Sequence, residues 1–151
     1  MNAAAPIKDA HILIVDDDES IVRVLELFLK SDGYANVTTT TKGRFALPLL
    51  AELEPDVLVL DLHMPYVSGF ELLDELEGNR DRAIPTLVIT GDTSPDVRRR
   101  VAEQGAELFV KPFPVDDVLE TISRMLQVQV AEGGPSLDAL EPADRRVLVA
   151  A

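Results

Sequence analysis

No cysteine occurs in the chain, which excludes a disulfide framework, a thiolate metal site and a cysteine nucleophile together. No apolar run approaches the ~20 residues that a membrane span requires. The start MNAAAPIKDA lacks the basic and then continuously apolar pattern of a secretory signal. These absences predict a soluble, cytoplasmic protein with no membrane contact. Positive charge is also scarce: the formal net charge is −13. That argues against direct nucleic-acid or anionic-lipid binding, because a phosphate backbone selects basic surfaces. Acidic surfaces suit solubility, and acidic clusters suit divalent cations. What is present is ordinary for a globular protein: 46% hydrophobic residues in 151, enough for one domain with a real core and a short appendage.

The pattern along the chain alternates. HILIV at 11–15 is a short β-branched run, ended by three aspartates, that reads as a strand buried on both faces. Ile21, Val24, Leu25 and Phe28 then recur at helical spacing within Glu19 to Ser31, and Gly33 follows as a stop. Val37 to Thr40 is strand-like. Phe45 to Leu53 is helical, with a late start or kink expected at Pro48 because proline lacks a backbone donor. Val57 to Leu60 form a second fully apolar strand running into Asp61. Phe70, Leu73 and Leu76 mark a helix, Thr86 to Ile89 a strand, and Ser94-Pro95-Asp96 a helix start whose inner face carries Val97 and Val101. Leu108 to Val110 is the last strand, and Val115 to Leu126 trace a final amphipathic helix. Short apolar strands alternating with helices predict a doubly wound α/β fold: a parallel sheet with right-handed crossovers and helices on both faces.

In such a sheet ligands bind outside the carboxyl ends of the strands, where strand order reverses. Asp16 and Asp17 end the first strand, Asp61 the third, Thr90 the fourth and Lys111 the fifth. Singly, each has a plainer role: the aspartates as helix caps or turn residues, Thr90 as a β-former, Lys111 as a solvated lysine. Together at four strand ends they predict a site. Clustered carboxylates repel one another unless a cation offsets them, and oxygen ligands suit Mg²⁺. His63 would add its backbone carbonyl. A carboxylate is a competent nucleophile toward a phosphoryl group if the added charge is neutralised. Mg²⁺ and Lys111 would do this, and the Thr90 hydroxyl would hydrogen-bond a phosphoryl oxygen only in the modified state.

Over residues 8 to about 127 the chain resembles the receiver domains of two-component response regulators. The likeness rests on ILIVDD at 12–17, PDVLVLDLHMP at 55–65 with SGFELL following, VIT at 88–90 and KPF at 111–113. The resemblance implies a flavodoxin-like five-stranded sheet in the order 2-1-3-4-5. It implies Asp61 as the phosphorylation site, and Asp16 and Asp17 as the magnesium pair beside Asp61 and the His63 carbonyl. Thr90 becomes the signalling hydroxyl and Lys111 the active-site lysine, before a cis proline. It implies a switch rather than an enzyme, a sensor histidine kinase or phosphotransfer protein as donor, and a downstream effector domain or protein. Its output or homodimerisation face would join the fourth helix, fifth strand and fifth helix, where Arg98, Arg99 and Arg100 oppose Asp116, Asp117 and Glu120. Counting back from Lys111, the family's aromatic switch position is Leu108, whereas anchoring on the GAELF loop selects Phe109. His63 and Asp92 flank the expected path of hydrolytic water.

Three other functions fit less well. A magnesium phosphohydrolase of the haloacid-dehalogenase arrangement places a second aspartate two residues after the nucleophile, where this chain has His63. A flavin module needs a hydroxyl- and glycine-rich loop after the first strand, where this chain has DDDES. A receiver that binds partners without phosphorylation would not need all five site residues. Residues 128–151 contain the breaker Gly133-Gly134-Pro135 and then SLDALEPADRRVLVAA, with possible short helical character. They read as a tail or linker, too short for an effector domain.

Overall fold

The computed structural model describes residues 7–65, 67–78 and 84–133. Five strands form one parallel sheet: β1 (His11–Val15), β2 (Asn36–Thr40), β3 (Val57–Asp61), β4 (Thr86–Thr90) and β5 (Glu107–Val110), in the order β2-β1-β3-β4-β5. Five helices alternate with them: α1 (Glu19–Ser31), α2 (Ala46–Leu53), α3 (Gly69–Gly78), α4 (Pro95–Glu103) and α5 (Val115–Gly133). The central strands are buried on both faces, as their apolar runs require. Ile12, Ile14, Val59 and Ile89 point to the side covered by α1 and α5. Leu13, Val15, Leu60 and Val88 point to the side covered by α2, α3 and α4. Among the described residues no helix is long and apolar enough to cross a membrane.

The chain leaves β1 outward to β2, then returns to pair β3 on the other flank of β1. Strand order therefore reverses between β1 and β3. Their register sets Val15 against Leu60, so the next residues, Asp16 and Asp61, emerge side by side. The acidic run divides its labour, because Asp18 caps α1 by accepting from the N–H groups of Ser20 at 2.9 Å and Ile21 at 3.4 Å. Gly33, at φ +105°, ends that helix in the left-handed region.

Two details differ from the sequence pattern. On α1 the buried residues are Val22, Leu25 and Leu29, while Val24, Leu27 and Phe28 are 38%, 64% and 45% exposed. Apolar residues cover more of this helix than a single stripe, and periodicity does not say which edge meets the sheet. After β3 a two-residue antiparallel hairpin, His63–Met64 with Val67–Ser68, interrupts the simple alternation. The expected late start of α2 is observed: a 3₁₀ turn at Gly43–Phe45 precedes Ala46, so Pro48 falls in the first turn, where backbone donors lack helical partners anyway. The predicted helical character after Gly134-Pro135 lies outside the described residues.

Gly69 fixes how α3 meets the site. Its N–H donates to the Leu62 carbonyl at 2.9 Å. A Cβ there would stand 2.5 Å from Leu62 Cα and 2.6 Å from the Asp61 carbonyl oxygen, both backbone atoms that cannot yield. Gly69→Ala is expected to lower stability by about 1–3 kcal/mol, the range for overpacking, measured as a reduced urea midpoint at unchanged slope.

Candidate functional site

Asp16 is wholly buried and its backbone N–H continues the β1–β2 ladder to Thr40. Its Oδ1 accepts from Asp18 N–H at 2.9 Å and from Lys111 Nζ at 3.3 Å. Its Oδ2 lies 3.0 Å from the same ammonium but without hydrogen-bond alignment, and so has charge compensation without a bonded proton. Asp61, 3% exposed, accepts from His63 N–H at 3.3 Å through Oδ1 and stands 3.6 Å from Lys111 Nζ through Oδ2. Asp17 is exposed. One carboxylate oxygen from each of Asp16, Asp17 and Asp61 falls within a mutual 4.8 Å. The loop that delivers Lys111 begins with Lys111 N–H donating to the Thr90 carbonyl, and the Lys111–Pro112 peptide is cis, as the resemblance implies.

One lysine does not neutralise this group. Burial, then the neighbouring Asp16 charge, push the Asp61 carboxyl up to about 7 despite Lys111 and the His63 N–H. Asp16 is also raised, chiefly by burial. Burial works against the charged form of Lys111, yet its hydrogen bond to Asp16 and the charges of Asp16 and Asp61 raise it overall. The unaligned Asp16 oxygen, the exposed Asp17 and the elevated Asp61 describe a donor set short of positive charge. A hard divalent cation matches that set by ligand type, with Asp16, Asp17, Asp61 and the His63 carbonyl as the holding groups.

Around these groups opens a cavity of about 630 Å³ lined by Asp17, Asp18, Asp61, His63, Gly91, Asp92 and Lys111. His63 Nε2 lies 3.2 Å from Asp92 Oδ2, so the two flanking side chains meet. The Asp92 carboxyl is held below its usual range mainly by the Ser94 N–H, at 2.9 Å from Oδ1. Thr90, fully buried, accepts the Asp92 N–H at 3.1 Å, which leaves its own proton free to donate. Asp16, Asp17, Asp61 and Lys111 are thus brought together; Thr90 ends β4, immediately before the lining residues Gly91 and Asp92. Sequence reasoning missed the Asp92–Ser94 link, whose only signal was an Asp two residues before an N-cap Ser. The two switch candidates separate by face: Leu108 packs with Val97 and Val101 of α4, and Phe109 packs on the α1–α5 side.

The chain belongs to the response regulator receiver domain family, whose model matches residues 12–123. It is 34% identical over 117 residues to the response regulator SaeR of Staphylococcus aureus, covering 77% of this chain and 50% of that protein. The chain therefore spans about half the length of the curated relatives it matches. Among solved structures it is similar to the chemotaxis protein CheY4 of Vibrio cholerae (33% identity, TM-score 0.69, 77% of this chain and 98% of that one). The signal receiver domain of a DNA binding response regulator from Colwellia psychrerythraea 34H is also similar (29% identity, TM-score 0.73, 79% and 99%).

Because folded Asp61 holds its proton more tightly than the unfolded chain, the metal-free site contributes stability at acid pH that is lost as pH rises from 3.8 to about 7. Asp61→Asn is expected to flatten that decline and to raise stability at pH 8 in EDTA by on the order of 1–3 kcal/mol. Chemical denaturation across pH checks it. Mg²⁺ should restore wild-type stability at pH 8 by mass action, about 2.7 kcal/mol at a hundredfold excess over Kd, and much less in Asp61→Asn.

Proposed function

We propose that the chain is a phosphoacceptor switch in a two-component relay, with Asp61 the residue modified and a sensor histidine kinase or phosphotransfer protein the donor. The observation that carries this reading is the convergence of Asp16, Asp17 and Asp61 around Lys111 at the strand-order reversal. An Asp61 oxygen attacks the phosphorus, the bond from phosphorus to the donor nitrogen or oxygen breaks, and the leaving group departs with its electron pair. Lys111 faces the charge that arrives. A bound Mg²⁺ supplies Lewis-acid stabilisation of the transferring group and keeps Asp61 ionised. The Thr90 hydroxyl donates to a phosphoryl oxygen in the product, a contact that exists only there. Such a domain promotes its own phosphorylation and hydrolysis without turning over a substrate for its own sake, which makes it a cytoplasmic signalling element rather than an enzyme. The phosphohydrolase alternative is disfavoured because residue 63 is a histidine engaged with Asp92.

Two surfaces suit the partners. The exposed strip Val24, Leu27 and Phe28 lies on the helix that starts beside Asp17, where a donor protein must rest to bring its phosphoryl group to a nearly buried Asp61. The α4–β5–α5 face suits an effector or a second copy. There Arg99 pairs with Asp96 and Arg100 lies 3.8 Å from the Phe70 ring centre, so Arg98 is the member of the basic trio with neither an acidic nor an aromatic partner among the described residues, while Asp116, Asp117 and Glu120 are exposed on α5.

Incubation with Mg²⁺ and acetyl phosphate should add one phosphoryl mass to the intact protein, and Asp61→Asn should abolish it. Folded wild-type protein that stays unmodified would instead favour a receiver working through protein contacts alone. Phe28→Glu should slow transfer from the cognate kinase about tenfold or more while leaving the acetyl phosphate reaction unchanged; equal loss in both assays would place the effect in the site itself.

A further inference from the structure

Five of the ten described lysines and arginines of this −13 chain have a carboxylate at hand: Lys8 with Asp32, Lys30 with Glu26, Arg99 with Asp96, Lys111 with Asp16 and Asp61, Arg124 with Glu120. Lys42 and Arg44 form no ion pair among the described residues, yet they share a second cleft of about 190 Å³ with Thr41, Gly43, Pro65 and Asp17. Asp17 is the common wall of the two cavities. The lining charges differ in sign: four carboxylates against one lysine in the first cavity, one carboxylate against two cations in the second. Local field therefore favours a cation in one and an anion in the other, a few residues apart.

The basic cleft is also held in shape. Gly43 is buried against the hairpin, where a Cβ would meet Val67 Cβ at 3.0 Å and Met64 Cε at 3.3 Å. The Thr40 hydroxyl accepts from Lys42 N–H at 3.1 Å and donates to the Lys42 carbonyl at 3.3 Å. The Arg44 guanidinium stands 5.0 Å from the centre of the Phe45 ring. The loop backbone is ordered before any ligand arrives, which lowers the entropy lost on binding.

We propose that this cleft binds the phosphate group of a small soluble compound, held between Lys42 and Arg44 with the Thr41 hydroxyl as a further donor. A phosphate dianion brings twice the charge of a carboxylate and three acceptor oxygens rather than two, so it gains more from a pair of cations. This subsite does not depend on modification of Asp61.

Inorganic phosphate titrated into ¹⁵N-labelled, metal-free protein at constant ionic strength tests it, since without metal the acidic cavity repels the ion. The amides of Thr41 to Arg44 should shift saturably. Lys42→Glu combined with Arg44→Glu, both at exposed positions, should weaken binding by about tenfold or more while far-UV circular dichroism and the Asp61 reaction with acetyl phosphate persist. Acetate should bind far more weakly than phosphate. Shifts reproduced by chloride, shifts confined to Gly91, Asp92 and Lys111, equal binding of acetate, or no change in the double variant would each overturn the proposal.

Discussion

Confinement of like charges at one strand-order reversal organises this molecule. Two strands that pair in register deliver Asp16 and Asp61 to the same edge, and burial denies them the water that would screen their repulsion. Lys111 answers in part. It reaches both carboxylates from a third strand end, so β1, β3 and β5 are tied through one ammonium. What remains uncompensated raises the Asp61 carboxyl, through burial first and the Asp16 charge second.

Much of this was legible in the residues before any coordinates. Short, β-branched apolar runs such as ILIV and VLVL, alternating with helices, fit central strands, and polar residues at their ends then share the carboxyl edge. The site emerged because its members are strand-terminal, and strand ends are the positions that alternation locates best. Elements governed by contacts between distant segments were not legible. The hairpin at His63–Met64 is too short for a period to register. The choice of Val22, Leu25 and Leu29 over Val24 and Phe28 depends on how α1 is rolled against the sheet. Gly69 is required by backbone seven and eight residues away in sequence, which no local propensity encodes. The opposite faces taken by Leu108 and Phe109 follow from strand alternation once β5 is aligned with β4, whereas a count back from Lys111 and a count from the GAELF loop select different residues for the switch position.

Family membership and site geometry bear on different links of the account. Similarity to receiver domains of known structure covers 77–79% of this chain, whereas about half of the curated relative SaeR has no counterpart in the residues here. Asp61 and the groups around it lie in the matched part. Beside that site the surface carries an exposed apolar strip on α1, and on α4 basic residues largely engaged within the molecule.

Between Thr90 and α4 the links form a short mechanical train. The Thr90 hydroxyl oxygen holds the Asp92 N–H, the Asp92 carboxylate holds the Ser94 N–H, and the Ser94 hydroxyl holds the Val97 N–H at the first turn of the helix. The residue on the sheet beneath that helix is aliphatic, so no ring rotation is available at 108 to report on the hydroxyl. Three successive hydrogen bonds make the loop a continuous connection, through which a displacement of Thr90 would reach the first turn of α4 by way of the backbone.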